Sequence, residues 1–172
     1  MPRNVEIKAR LDHIDAVTAK AAALADQGPT LIAQDDTFFR CDNGRLKLRV
    51  FSATEGELIF YRRSDRQGPK ESFYVRSPTS SPATLRAALA LAHGEIGRVV
   101  KQRTLYTVGR TRIHLDRVEG LGDFLELEVV LEDGEPIEAG TREAHRLMAA
   151  LGIAPGQLVG GAYVDLQAKG QR

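Results

Sequence analysis

The chain has 172 residues and a formal net charge of +1, so it is long enough for one domain with a sizeable core and lacks the strong positive charge of many nucleic-acid-binding proteins. Cys41 is the only cysteine, which excludes an internal disulfide bond and a metal site built from several cysteines. No run approaches about 18 apolar residues and no apolar leader precedes the first strand, so we expect a cytoplasmic protein that spans no membrane and binds no nucleic acid.

Alternating and apolar runs separated by turn residues predict eight strands along the chain. The predicted strands are 5–10, 31–40, 45–51, 57–63, 71–76, 98–108, 111–118 and 124–131. Three helices are expected, one that ends near Gly28-Pro29, one that is capped by 77–82 and runs to about Ala92, and one over 138–151. Residues 163–166 suit a short closing element.

Glycine and polar residues mark the turns between these elements. Asp42-Asn43-Gly44 is a hairpin signal of the kind that adopts positive φ. Gly94 and Gly97 are expected to flank the turn into the sixth strand, and Ser77-Pro78 to end the fifth.

The short hairpins and few helices predict an α+β fold with an antiparallel sheet closed, or nearly closed, into an eight-stranded barrel with the helices packed outside. We expect a single domain over 1–172, with a core of about 4–166. Outward apolar residues could contact these helices or a second subunit, so a homodimer is left open.

Charge on every second residue distinguishes five of the strand-like runs, namely 6–10, 45–49, 101–103, 110–112 and 126–128. Residues two apart in a strand point to the same face, so each run lines one face with ions. A solvated outer face would give a similar pattern for any single run. Five runs rich in Arg, Lys and Glu instead indicate ionic faces that look at one another across a lumen.

The lumen is expected to contain more cations than anions, which favours a bound polyanion together with a divalent metal. The residues expected there are Glu6, Lys8, Arg10, Arg45, Lys47, Arg49, Arg63, Lys101, Arg103, Arg110, Arg112, Asp116, Glu126 and Glu128. His114 falls on the same face, where a structural or phosphate-contact role is favoured over a general-base role. Asp36 and Arg40 could form an exposed pair.

Several of these runs, in order, resemble the CYTH family, or triphosphate tunnel metalloenzymes, which includes class IV adenylyl cyclases, thiamine triphosphatases and inorganic triphosphatases. The stretch Asn4-Val5-Glu6-Ile7-Lys8 is similar to the family's E-x-E-x-K motif, with Asn4 in place of the first Glu. The stretches 44–49, 101–104 and 120–128 resemble its later strands. The start Asn4 to Arg10 resembles the class IV adenylyl cyclase-like branch.

The resemblance implies an eight-stranded tunnel whose basic residues bind a triphosphate and whose acids hold Mg²⁺ or Mn²⁺. The triphosphate-binding residues that the resemblance implies are Lys8, Arg45, Lys47, Arg49, Lys101, Arg103 and Arg112, and strand alternation adds Arg63 and Arg110 to the prediction. The implied metal ligands are Glu6, Asp116, Glu126 and Glu128, of which Glu6, Glu126 and Glu128 are also the implied catalytic residues. Asn4 removes one negative charge near the metal.

Three functions are compatible with this sequence. The first is a metal-dependent enzyme on a small-molecule triphosphate, either a cyclase that converts ATP to cyclic AMP and pyrophosphate or a triphosphatase. The second is a nucleotide- or polyphosphate-binding module without catalysis, for which Asn4 is the main argument. The third is a structural barrel with solvated ionic faces. The P-loop, nucleophile-elbow and zincin motifs do not occur.

Overall fold

A computed structural model of the protein describes residues 2–170. Its strands are β1 (Arg3–Leu11), β2 (Gln27–Phe39), β3 (Arg45–Ser52), β4 (Glu55–Arg63), β5 (Lys70–Thr79), β6 (Glu95–Val108), β7 (Thr111–Val118) and β8 (Gly122–Val130). Its helices are α1 (Ile14–Leu24), α2 (Pro82–His93), α3 (Ile137–Leu151) and α4 (Tyr163–Gly170), and a 3₁₀ turn over Pro155–Gln157 precedes α4. None of the described helices is long and apolar enough to cross a membrane.

The eight strands form one closed antiparallel barrel in the order β1-β5-β4-β3-β2-β6-β7-β8, with β8 paired back to β1. This confirms the predicted α+β fold with an eight-stranded barrel. Most neighbours in the barrel are consecutive in the chain because short turns join them. The exceptions are β1 with β5, β2 with β6 and β1 with β8, and the β1–β8 pairing closes the ring.

The apolar residues of the strands point outward, opposite to the arrangement in an ordinary small barrel. In β1 the side chains of Val5, Ile7 and Ala9 are fully or almost fully buried in a cluster outside the sheet. The amphipathic helix α3 packs Leu147 and Leu151 into the same cluster. The helical cover therefore removes the apolar faces from water and leaves the alternate, charged residues to line the lumen.

Two element boundaries differ from the sequence prediction because hydrogen bonding between strands outweighs the tendency of glycine and proline to end an element. Helix α1 ends at Leu24, and Gly28-Pro29 lies inside β2 at a register shift rather than at the end of the helix. Strand β5 continues through Ser77-Pro78 to Thr79. Pro78 is accommodated there because β1 pairs only with the first residues of β5, so this part of β5 has a single neighbour, β4.

The two predicted turns also differ from expectation. No described residue other than glycine has a positive φ, and Gly44 is not among the glycines that do, so the 42–44 turn does not adopt the predicted conformation. Gly97 lies within β6, paired with Phe38, and not at a turn.

Candidate active site in the tunnel

The barrel interior holds a cavity of about 250 Å³, and nearly half of the residues that line it are charged. Ten of the residues predicted for the lumen line it, namely Glu6, Lys8, Lys47, Arg49, Arg63, Lys101, Arg103, Arg112, Glu126 and Glu128. The alternation of the strands brings them together because each occupies an inward position on its strand. The charged faces of the strands therefore line one common lumen, as the sequence pattern indicated.

Asp36 of β2 is the acid around which three of the cations converge. The Arg49 guanidinium donates to both of its oxygens, at 2.9 and 2.8 Å, and the amino groups of Lys47 and Lys101 each lie 3.3 Å from Oδ2. Arg49 is directly opposite Asp36 on β3, whereas Lys47 on β3 and Lys101 on β6 are its diagonal neighbours on the same face. Asp36 is fully buried, so it is not the exposed partner of Arg40 that the sequence allowed.

Asp116 of β7 organises a second cluster beside the cavity. Arg103 donates to both carboxylate oxygens at 2.8 Å, and the Tyr163 hydroxyl donates to Oδ2 at 2.8 Å. Asp116 has no exposed surface and is absent from the cavity wall. The structure thus places this predicted metal ligand in a buried ion pair with Arg103 and not on the cavity wall.

His114, Glu126 and Glu128 form the group best arranged to hold a metal. One ligand atom of each lies within 4.8 Å of the others. Among the described residues, His114 Nδ1 is buried without a hydrogen-bond partner, 3.6 Å from Glu128 Oε1. Two of the three groups are carboxylates, the ligand type preferred by Mg²⁺ and Mn²⁺. The donor set therefore fits a divalent ion, and His114 takes the place that was predicted for Asp116.

Glu6 lies next to this group but is engaged by a cation. Arg63 Nη1 donates to Glu6 Oε1 at 2.8 Å. Glu6 is directly opposite Glu128 on the neighbouring strand β8. Burial raises the pKa of Glu6, and the nearby Glu128 and Glu126 add to this effect against the opposing Arg63. A divalent ion between these acids would relieve that repulsion.

The pKa values of the remaining groups follow from burial and the surrounding charges. Burial, with a contribution from Arg103, lowers the pKa of His114 to about 4, so its imidazole is neutral at pH 7 and can act as a ligand. Burial would raise the pKa of Glu128, but His114 and Arg112 outweigh it and lower that pKa to about 2. Glu126 is also kept ionised, because Lys8 and Arg103 hold its pKa well below the ordinary value.

Lys47 gives the site a pH dependence. Burial and the neighbouring Arg49 lower its pKa to about 7. The unfolded chain therefore binds more protons than the native state from about pH 7 to the ordinary lysine pKa of about 10.4. We expect the free energy of unfolding of the unliganded protein to increase as the pH rises through this window. We expect the affinity for a triphosphate to fall over the same window, since the anion favours protonated Lys47.

Calorimetric titration of metal-free tripolyphosphate between roughly pH 7.5 and about pH 9.5 tests this prediction, with proton uptake measured in buffers of different ionisation enthalpy. Lys47→Met should weaken the pH dependence of both affinity and stability. The same pH dependence of affinity in the unmodified protein and in Lys47→Met would contradict the prediction, because the titration of the ligand is common to both.

Three residues expected in the lumen lie elsewhere, each near the end of a strand where inward alternation no longer fixes the side chain. Arg10 is exposed and lies over the Phe124 ring. Arg45 forms an ion pair with Asp165. Arg110 precedes β7 and donates to Glu135 and Glu143 on the outside of the barrel. None of the three lines the cavity, so the prediction that they face the lumen is wrong.

Sequence reasoning did not place several polar groups among the lumen residues, although the structure adds them to the cavity wall. Asp36 was not assigned because Asp35 and Asp36 are adjacent, so the alternation does not show which of the two faces the lumen. Asn4 and Gln34 line the cavity, and within the described chain the side-chain oxygen of each is buried without a hydrogen-bond partner. Tyr163 comes from the C-terminal segment, whose packing no local periodicity indicates.

The closed eight-stranded barrel with an ionic lumen identifies this protein as a tunnel-type barrel of the class that the sequence resembles. The family model of the CYTH domain matches residues 2–163, so the chain belongs to that family. The predicted family is thereby confirmed.

Known relatives agree with this membership. An adenylate cyclase, CyaB from Aeromonas hydrophila, is 26% identical over 176 residues, which cover 94% of this chain and 87% of that protein. The PH1012 protein from Pyrococcus horikoshii OT3 has the same fold, with a TM-score of 0.83 at 21% identity over 95% of this chain and 98% of that one. The protein HpAC1 from Hippeastrum, described as having a dominant triphosphatase activity, gives 0.68 at 19% identity over 97% and 96%.

Proposed function

We propose that the protein is a divalent-metal-dependent enzyme that cleaves a phosphoanhydride bond of a triphosphate bound in the tunnel. The observation that carries this proposal is the charge of the cavity wall, where eight cationic side chains, all but Arg76 buried or half-buried, meet five acidic ones. Three of these cations share the single carboxylate of Asp36, so positive charge is in excess there. An anion beside them is favourable because removing unpaired cations from water is costly. Family membership and the relatives named as adenylate cyclase or triphosphatase support the same activity.

Seven of the eight basic residues that line the cavity, all except the exposed Arg76, would bind the phosphates. These are Lys8, Lys47, Arg49, Arg63, Lys101, Arg103 and Arg112. Arginine offers paired N–H donors that match a phosphate, whereas lysine acts as a compact charge. Because strands of one closed sheet hold these side chains, the phosphate chain is positioned without a large rearrangement. Positioning and neutralisation of charge are the main contributions of proteins to phosphoryl transfer.

The acids of the cavity would hold the metal, which we propose is Mg²⁺ or Mn²⁺. Glu126, Glu128 and His114 offer the ligands, with Glu6 beside them. When bound, such an ion polarises phosphate oxygens and makes a bound water or hydroxyl more acidic. Arg103 and Lys8 lie 3.8 and 3.9 Å from Glu126 and keep it ionised and oriented towards the cavity.

Two reactions are compatible with this arrangement. If the ribose 3′-hydroxyl of ATP attacks the α-phosphorus, the bond between the α- and β-phosphates breaks and gives cyclic AMP and pyrophosphate. If water attacks the terminal phosphorus, the products are a diphosphate and inorganic phosphate. The same cationic wall serves either reaction, and which phosphorus is attacked depends on the register of the chain in the tunnel.

Phosphorus NMR of the protein with ATP, and separately with tripolyphosphate, in Mg²⁺ or Mn²⁺ tests the proposal. Cyclic AMP with pyrophosphate would establish a cyclase, and metal-dependent release of inorganic phosphate would establish a triphosphatase. Binding of both compounds without turnover would reject the enzyme in favour of a binding module. Absence of binding would reject both and leave a structural barrel.

Lys47→Met should weaken triphosphate binding while leaving the unliganded protein stable. Asp36 retains both hydrogen bonds from Arg49 and its contact with Lys101, and the burial cost of the Lys47 charge is removed, so we expect the free energy of unfolding near pH 7 to stay the same or increase. Losing one charged contact to phosphate should raise the dissociation constant of metal-free tripolyphosphate about 10- to 100-fold. Lys20→Met, on the exposed face of α1, is the matched control and should change neither quantity. An unchanged dissociation constant for Lys47→Met would argue against phosphate contact.

A further inference from the structure

One end of the tunnel is covered by the segment 159–166, which we term the C-terminal lid. The Val159 N–H donates to the Lys8 carbonyl at 3.0 Å, which ties the start of the lid to β1. Tyr163 and Val164 are buried against Phe38, Val99 and other apolar residues at this end of the barrel. The lid is therefore part of the packed structure.

The fold makes specific room for the lid at Gly97. A Cβ atom at this position would lie 2.2 Å from Val164 Cγ2, so only glycine allows helix α4 to approach β6 this closely. The need for glycine here is steric, since Gly97 has no positive φ. This contact explains why a glycine interrupts an otherwise regular strand.

The lid contacts the same cations that line the cavity. The carbonyl oxygen of Gly161 accepts hydrogen bonds from Lys8 Nζ at 2.9 Å and from Arg63 Nη2 at 3.3 Å. The Tyr163 ring centroid lies 4.1 Å from Lys8 Nζ and 5.3 Å from Lys101 Nζ. The lid thus forms the end wall of the binding cavity and helps to hold these two amino groups in place.

A half-buried ion pair outside the cavity connects the lid to strand β3. Arg45, at the start of β3, pairs with Asp165 of α4. The same Asp165 oxygen accepts from the backbone N–H of Ala162 at 3.1 Å, which stabilises the first turn of α4. Arg45 does not line the cavity, so its role in this structure is to latch the lid.

At the opposite end of the tunnel, no segment within residues 2–170 forms such a cover. Inward residues at the far ends of β2, β3, β6 and β7 are partly exposed, whereas those at the lid end are buried. The partly exposed cavity-lining residues are Ile32, Phe51, Leu105 and Arg112. This end is therefore the mouth through which a ligand can enter.

From these contacts we infer that the tunnel is closed at the lid and that a phosphate chain enters from the opposite mouth with its free terminal phosphate first. The terminal phosphate then meets Lys8 and Lys101, and any organic group stays at the mouth beside Phe51 and Leu105. The substrate class is a triphosphate with at least one uncapped end, and a triphosphate capped by organic groups at both ends is excluded. This inference rests on the proposed function.

The test compares ligands of similar charge that differ in having a free end. ADP has one, whereas diadenosine triphosphate has none, and both are titrated calorimetrically into the metal-free protein beside tripolyphosphate. We expect diadenosine triphosphate to bind at least about tenfold more weakly than ADP. Equal binding of the two would overturn the inference alone, whereas failure of all three ligands to bind would overturn the proposed function with it.

Variants of the lid test its part in this selectivity. Asp165→Asn removes the latch, so amide hydrogen exchange of 159–166 should accelerate and the discrimination between ADP and diadenosine triphosphate should narrow. Asp15→Asn removes an Asp–Arg pair on the surface, with Arg117, and should change neither measurement. Gly97→Ala displaces Val164 instead and should have the same effect as loss of the latch. Faster exchange with unchanged discrimination in both lid variants would overturn the assignment.

Discussion

Replacing Glu126 and Glu128 together by glutamine is expected to lower the turnover number at least about 1,000-fold, because even one preorganised electrostatic contact at a reacting centre is commonly worth 100- to 1,000-fold. Both carboxylates belong to the group suited to a metal, and glutamine preserves their shape while removing the charge that attracts the ion. Turnover of ATP and of tripolyphosphate, followed by phosphorus NMR in Mg²⁺ and in Mn²⁺, gives the measurement.

Binding separates loss of catalysis from loss of the fold in this variant. Lys8 and Arg103 lose an anionic partner when Glu126 becomes neutral, so metal-free tripolyphosphate should bind at least as tightly as to the unmodified protein. Glu71→Gln removes a carboxylate that pairs with Arg3 away from the tunnel and serves as the control. Undiminished turnover in the double variant would exclude these acids from catalysis.

Asp36→Asn should destabilise the unliganded protein by about 3–5 kcal/mol, the usual effect of removing one partner from a buried ion pair. Asp36 is fully buried, and its loss leaves Arg49, Lys47 and Lys101 without the acid that neutralises them. Chemical denaturation measures the change. Saturating tripolyphosphate should recover part of the loss, because the bound anion takes the place of the missing carboxylate.

The neighbouring residue supplies a matched control for this prediction. Asp35 lies on the opposite face of the same strand and pairs with Arg98 at the surface, where ion pairs contribute at most about 1 kcal/mol. Asp35→Asn should therefore have a small effect that tripolyphosphate does not reverse. Similar destabilisation by the two substitutions would show that Asp36 has no special role in the lumen.

The strand alternation explains why so much of the fold was predictable from sequence. In runs such as 45–49 and 126–128 the period of two fixes both which residues share a face and which face is apolar. The apolar alternates on β1, β7 and β8 then require a helical cover, which α1 and α3 provide. Ten lumen residues followed from this parity without knowledge of the strand order.

The same rule fails where a residue is not held on both sides by neighbouring strands. Arg45 and Arg110 lie at strand ends and turn to acids from other elements. Asp116 obeys the parity but faces Arg103 on the adjacent strand, so a buried pair forms in preference to an open metal ligand. Such choices depend on register between strands, which a single sequence does not specify.

The inverted barrel has a consequence for how the protein tolerates substitution. In a scan of every single substitution, positions along β1 and β8 should alternate between two kinds of failure. Polar replacements at outward residues such as Ile7 and Leu127 should reduce the amount of folded protein in the cell, because these side chains form the core. Neutral replacements at inward residues such as Lys8 should leave abundance nearly intact while abolishing turnover. Along each of these strands, abundance should therefore fall at every second, outward position. Turnover should be lost without a fall in abundance at the inward positions between them.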